Sequence, residues 1–83
     1  MYAIVEVRFM TYMERIKSLR EDHDLTQQAV AAFLEVGQKT YSDYELGKTR
    51  IPLESIVKLA RMYDVSVDYI CVVTDQRRTF PKR

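Results

Sequence analysis

Only three residues, Glu35-Val36-Gly37, lie between two stretches that each carry helical periodicity. Before them, TQQAVAAFL (26–34) sets Val30, Ala31 and Leu34 on one stripe. After them, QKTYSDYEL (38–46) sets Tyr41 and Tyr44 on one side and Gln38, Lys39, Ser42 and Asp43 on the other. So short a connection forces the two helices to cross closely, which calls for small side chains at the crossing. Ala31 and Ala32 are placed there. The second helix is built of poor material, because Ser, Thr, Tyr and Asp are indifferent helix formers. Packing must therefore hold it, with Tyr41 and Tyr44 turned to the core and Val36 plugging the turn. Gly47 is the natural left-handed residue to end it. A weak polar helix clamped from behind offers its outer side chains to solvent on a rigid frame.

The flanking segments supply that frame. From Thr11, Met13, Ile16 and Leu19 recur at helical spacing with Glu14, Arg15 and Lys17 between them, predicting a helix over 11–21. EDHD is a polar connector. Thr26 is a good N-cap, but Ala29 stands where a reciprocal capping box needs Glu or Gln. KTRIP reads as a loop, and Leu53 starts a helix with Ile56, Leu59, Ala60 and Tyr63 on one stripe. Ser66 caps a last short helix, SVDYICV, with Val67, Ile70 and Cys71 facing inward and Cys71 as a core thiol. Residues 2–9 alternate instead, Ala3, Val5, Val7 and Phe9 against Tyr2, Glu6 and Arg8, the period of a strand. A strand needs a partner. The choices are the β-branched stretch near Val72 and Val73, the same strand of a second copy, or no partner and a frayed leader. The expected organisation is a strand extension (1–10), a helical domain (11–74) and a basic tail (75–83).

Eighty-three residues suit one domain with a modest core. Apolar residues at 47% and charged residues at 30% argue against disorder, and two Gly and two Pro leave few helix breaks. No apolar run reaches the ~18 residues of a membrane span. Glu6 and Arg8 interrupt the opening MYAIVEVRFM, so it does not read as an export signal. Cys71 stands alone, which rules out an internal disulfide. A cytoplasmic, nucleoid-associated protein with no membrane partner is the expectation. The formal net charge is only +1, and Arg77, Arg78, Lys82 and Arg83 outweigh Asp75 in the tail, so basic charge must act locally. His23 has no second ligand at metal spacing. With no nucleophile–base pair, paired carboxylates or Gly-rich phosphate loop, no enzyme, metal or cofactor is expected.

Two short helices joined by a three-residue turn within five helices form a helix-turn-helix. LTQQAVAAFLEVGQKTYSDYELGK followed by TRIPLESIVKLARMYDVSVDYI resembles the phage-repressor and Cro-type helix-turn-helix family, also called the XRE family, over about residues 13–71. The resemblance rests on Leu-Thr-Gln at 25–27, Tyr-x-x-Tyr-Glu-x-Gly-Lys at 41–48, Pro52 and Asp-Val-Ser-Val-Asp at 64–68, in that order and spacing. It implies an all-α, five-helix, lambda-repressor-like domain, carrying here a short N-terminal β-strand extension. It also implies a sequence-specific transcriptional regulator, of the repressor type, that binds a palindromic operator in double-stranded DNA as a homodimer. On these 83 residues no ligand-sensing domain is expected. The rival is an antitoxin or accessory module whose main partner is another protein, a toxin or a regulator.

The resemblance assigns roles to residues. Gln27 holds a phosphate and braces the next helix. Gln38, Lys39 and Asp43 read base edges, and Ser42 shares their face. Thr40, Lys48 and Arg50 contact phosphates. Arg20 pairs with Glu45. The chemistry agrees: Gln suits adenine, Lys suits guanine and Asp accepts from cytosine N4. Three positions depart from the family pattern. Glu35 replaces the usual Gly of the turn, which predicts a strained or left-handed backbone there. Gly37 replaces the usual Ser or Thr cap. Asp43 stands where Arg, Lys or Gln is common, so it either reads cytosine or faces away.

Overall fold

A computed structural model describes residues 11–72, which form five helices. These are α1 (Tyr12–Asp22), α2 (Gln27–Leu34), α3 (Gln38–Leu46), α4 (Leu53–Tyr63) and α5 (Val67–Ile70). The fold of these residues is all-α, as expected. The strand expected at 2–9 and the basic tail at 75–83 lie outside the described residues.

Three helices begin on hydroxyl caps. The Thr11, Thr26 and Ser66 side chains accept from the backbone N–H of Glu14, Ala29 and Tyr69 respectively. At α1 the arrangement is reciprocal, because the Glu14 carboxylate accepts from the Thr11 N–H at 2.9 Å. That is a capping box, Thr-x-x-Glu, which the reading of the sequence passed over. Gly37 begins α3 with no side-chain cap, in extended backbone.

The helix ends share one device. The N–H groups of Leu25, Val36, Lys48 and Val65 reach back five residues to the carbonyls of Arg20, Ala31, Asp43 and Ala60, at 2.9–3.0 Å. In each case the preceding residue sits left-handed: Asp24, Glu35, Gly47 and Asp64 have φ of 56, 62, 78 and 56°. These are Schellman closures. Only one uses glycine. In three of the four, the residue after the left-handed position is apolar and packs on or within the core (Leu25, Val36, Val65), which holds an acidic residue in an uncongenial conformation. Glu35→Gly is expected to raise stability by about 0.5–1 kcal/mol by relieving this, less the extra freedom Gly gives the unfolded chain. A denaturant titration checks it, and an unchanged or lowered midpoint would contradict it.

The core is contiguous. Ile16 and Leu19 of α1, Val30, Ala31 and Leu34 of α2, Tyr41 and Tyr44 of α3, and Leu59, Ala60 and Tyr63 of α4 are all buried, with Val65 and Ile70 closing the far side. α3 packs on α2 and α1, and α5 packs on α4 and α1. Two expectations are corrected. Ala32 is exposed and only Ala31 lies in the crossing, because adjacent helical residues point about 100° apart. Cys71 is exposed rather than a core thiol: Tyr69 and Ile70 take the inward side of α5, and a further turn of about 100° carries Cys71 off that side. Arg15, read as a spacer between apolar positions, is buried with its guanidinium carbon 4.0 Å from the Tyr69 ring centroid.

Candidate nucleic-acid interface

Behind α3 sits a single carboxylate with three partners. Glu45 accepts from Arg20 through both oxygens, Nε at 2.7 Å and Nη2 at 3.2 Å, a fork-to-fork pair. It also accepts from Gln27 Nε2 at 3.0 Å and from the Tyr41 hydroxyl. Arg20 donates further to the Leu25 carbonyl at 3.0 Å. One carboxylate thus fastens α3 to α1, to the start of α2 and to the loop between them. The side chains of Glu45 and Arg20 are 3% and 12% exposed, so the pair is largely withdrawn from water.

The electrostatics follow from that geometry. Burial alone would raise the Glu45 carboxyl, but hydrogen bonds from Arg20, Tyr41 and Gln27 outweigh it and hold the group below the ordinary glutamate range. The Glu45 hydrogen bond holds Arg20 above its usual value. Burial, then the hydrogen bond to Glu45, pushes the Tyr41 phenol far above the ordinary tyrosine value. At neutral pH the cluster is therefore carboxylate, guanidinium and neutral phenol.

The Tyr41 and Tyr44 rings meet edge to face, with centroids 6.2 Å apart. With both rings turned inward, the opposite side of α3 is free. Gln38, Lys39, Ser42 and Asp43 line one open depression, joined by Gln27 from α2 and Lys48 from beyond the helix end. Six of the eight residues expected in a DNA-facing site thus lie around one concavity. The other two are elsewhere: Thr40 is half-buried on α3 but is not among the lining residues, and Arg50 borders a separate cleft with Tyr12, Ile51, Ile56 and Cys71. Asp43 lies on the shared depression, where its Oδ2 is 3.4 Å from Lys39 Nζ. Leu46 also lines it at 64% exposure, a residue that periodicity alone had left unassigned. Its signal was available: Gln38, Ser42 and Leu46 are spaced by four, one stripe of a helix. Among the described residues no cluster of His, Cys, Asp or Glu could hold a metal ion, and no helix is long and apolar enough to cross a membrane.

A short helix pair with a three-residue turn, set in a five-helix frame and showing one polar face, defines a helix-turn-helix domain. The helix-turn-helix family model matches residues 16–70. The chain belongs to this family, in its XRE branch. It is 42% identical over 64 residues to an uncharacterized HTH-type transcriptional regulator, YobD, of Bacillus subtilis, covering 77% of this chain and 57% of that one. It is 39% identical over 56 residues to the cryptic phage CTXphi transcriptional repressor RstR of Vibrio cholerae, covering 68% and 50%. Antitoxin PezA of Streptococcus pneumoniae is 32% identical over 68 residues, covering 82% and 42%. The chain spans about half the length of the curated relatives it matches. No solved structure matches it significantly.

Proposed function

We propose that this protein is a sequence-specific DNA-binding transcriptional regulator that acts as a homodimer on a palindromic operator. One observation carries the reading: Gln38, Lys39, Ser42 and Asp43 share an open face with Gln27 and Lys48, on a helix whose other side is fixed by two buried tyrosines and a four-residue polar network. Donors and acceptors held in that way suit the edges of base pairs in a major groove, while Gln27 and Lys48, on the same depression, suit phosphate oxygens. The names of relatives, transcriptional regulators and a phage repressor, support the same reading. A single recognition helix covers few base pairs. Two copies with half-sites about 34 Å apart supply the specificity an operator needs.

The test is selection of bound sites from random duplexes at a fixed salt concentration, which reads binding, sequence and half-site spacing together. A two-fold symmetric motif with half-sites one helical turn apart is the expected result; no enrichment, or a single unrepeated half-site, would contradict the dimer. On the selected duplex, Gln38→Ala or Lys39→Ala is expected to cost about 1–3 kcal/mol and to relax base choice at one position. Equal weakening on every sequence would assign these side chains to phosphates instead.

The likeness to an antitoxin favours one second reading, in which the main partner is another protein. Leu53, exposed at the start of α4, would then belong to the docking surface. A stable complex formed by a Leu53→Asp variant with operator DNA but not with a co-purified protein would separate the two roles.

A further inference from the structure

We infer that Lys39 and Asp43 act as one unit, an ion pair that reads a single G·C base pair without coming apart; this rests on the DNA-binding reading above. The two residues are one helical turn apart on α3, with Lys39 Nζ 3.4 Å from Asp43 Oδ2. The Lys39 side chain is 86% exposed, whereas that of Asp43 keeps 18% exposure on the lining of the same depression. The pair therefore offers a donor and an acceptor side by side, with one end open to solvent and the other largely covered.

Every base pair shows a donor and an acceptor side by side at the centre of its major-groove edge. In a G·C pair these are guanine O6 and the cytosine N4 amino group, joined to each other by a hydrogen bond of about 2.9 Å. An ammonium and a carboxylate at 3.4 Å come within ~0.5 Å of that spacing. Lys39 donates to O6, N4–H donates to Asp43, and the ion pair is kept, so no charge is left without a counterpart. An A·T pair has a similar centre, adenine N6–H and thymine O4, but its flanks are wrong. The carboxylate would lie next to adenine N7, a second acceptor, and the ammonium next to the thymine methyl. On G·C the flanks are right: guanine N7 gives the ammonium a second acceptor, and the carboxylate faces only the cytosine C5–H. The acid that is unusual at this position thus serves to exclude A·T.

The test compares sites selected from random duplexes by the wild-type chain and by Asp43→Asn. The wild type is expected to require G·C at one fixed position in each half-site, by on the order of 10-fold or more over A·T. Asp43→Asn is expected to admit A·T there, since an amide can pair with adenine, while the rest of the motif stays as an internal control for folding. A second arm replaces that guanine by 7-deazaguanine in the wild-type site. Affinity is expected to fall several-fold for the wild type and to stay unchanged for Lys39→Met, which has no donor for N7. No enrichment by the wild type overturns the DNA-binding reading and this inference with it. A motif that is the same for wild type and Asp43→Asn, or one with no G·C dependent on both residues, overturns the inference alone and leaves the DNA-binding reading standing.

Discussion

Glu45→Ala is expected to destabilise the domain by about 3 kcal/mol, and to lower its melting temperature by on the order of 15 °C for a chain of this size. The reason is the number of groups left behind. Removing this carboxylate takes a partner at once from the Arg20 guanidinium, the Gln27 amide and the Tyr41 hydroxyl, and leaves the Arg20 charge, 12% exposed, with only the Leu25 carbonyl. Breaking one side of a withdrawn ion pair costs far more than the pair contributes, because the surviving charge stays desolvated. An exposed pair gives the contrast: Lys39 and Asp43 could be separated at a cost of only ~0.5 kcal/mol. Glu45→Gln should fall between wild type and alanine, since it keeps the shape and loses the charge.

The same carboxylate makes stability depend on pH in a definite direction. Its folded value lies below the ordinary glutamate range. The unfolded chain therefore takes up the proton first as pH falls, and the Glu45 contribution is whole above the unfolded value and is lost on passing down through the folded one. The gap in stability between wild type and Glu45→Gln should be widest near neutrality and should narrow in acid. A gap that stays constant down to strongly acidic pH would show that the charge contributes nothing.

Tyr41→Ala is expected to cost as much or more, about 3–5 kcal/mol. Tyr41 has no exposed surface and is among the largest fully buried side chains of the domain. Its loss removes apolar area, leaves a cavity behind α3, and withdraws one of the donors to Glu45. Against a total stability of roughly 5–10 kcal/mol for a domain of this size, that is enough to unfold a sizeable fraction of molecules. Tyr41→Phe separates the two parts: it keeps the ring and loses only the hydroxyl, for about 1 kcal/mol. Denaturant titration of both variants checks this. A Tyr41→Ala midpoint close to wild type would mean that α3 is not held by this ring.

The features legible in the sequence are those written in short windows. Gly47 announced the end of α3, Thr26 the start of α2, and Glu35 a left-handed turn residue, and all three are found in those conformations. The pairing of Arg20 with Glu45 came from the family resemblance rather than from periodicity; Arg20 Nε stands 2.7 Å from Glu45 Oε2. Other features were written just as locally and went unread. Thr11-x-x-Glu14 spells a capping box. The acid-then-apolar pairs Asp24-Leu25, Glu35-Val36 and Asp64-Val65 spell three of the helix closures. What was not legible depends on where helices stop and what they meet. Cys71 is exposed because Tyr69 and Ile70 take the inward side of α5. Arg15 is buried against the ring of Tyr69, far along the chain. In the candidate interface, the residues at the front of α3 were identified together because one helix places them together. Arg50 sits on a loop after Gly47, where spacing in sequence says little about direction in space.

The central claim is that α3 is clamped at its back so that its front can enter a groove of duplex DNA. Titration of isotope-labelled protein with the selected operator duplex, followed by NMR, tests it most directly. The largest shifts should fall on Gln27, Gln38, Lys39, Ser42, Asp43 and Lys48, with Tyr41 and Tyr44 little moved and the outer faces of α4 and α5 silent. Shifts concentrated on α4 and α5 with the front of α3 unchanged would contradict it.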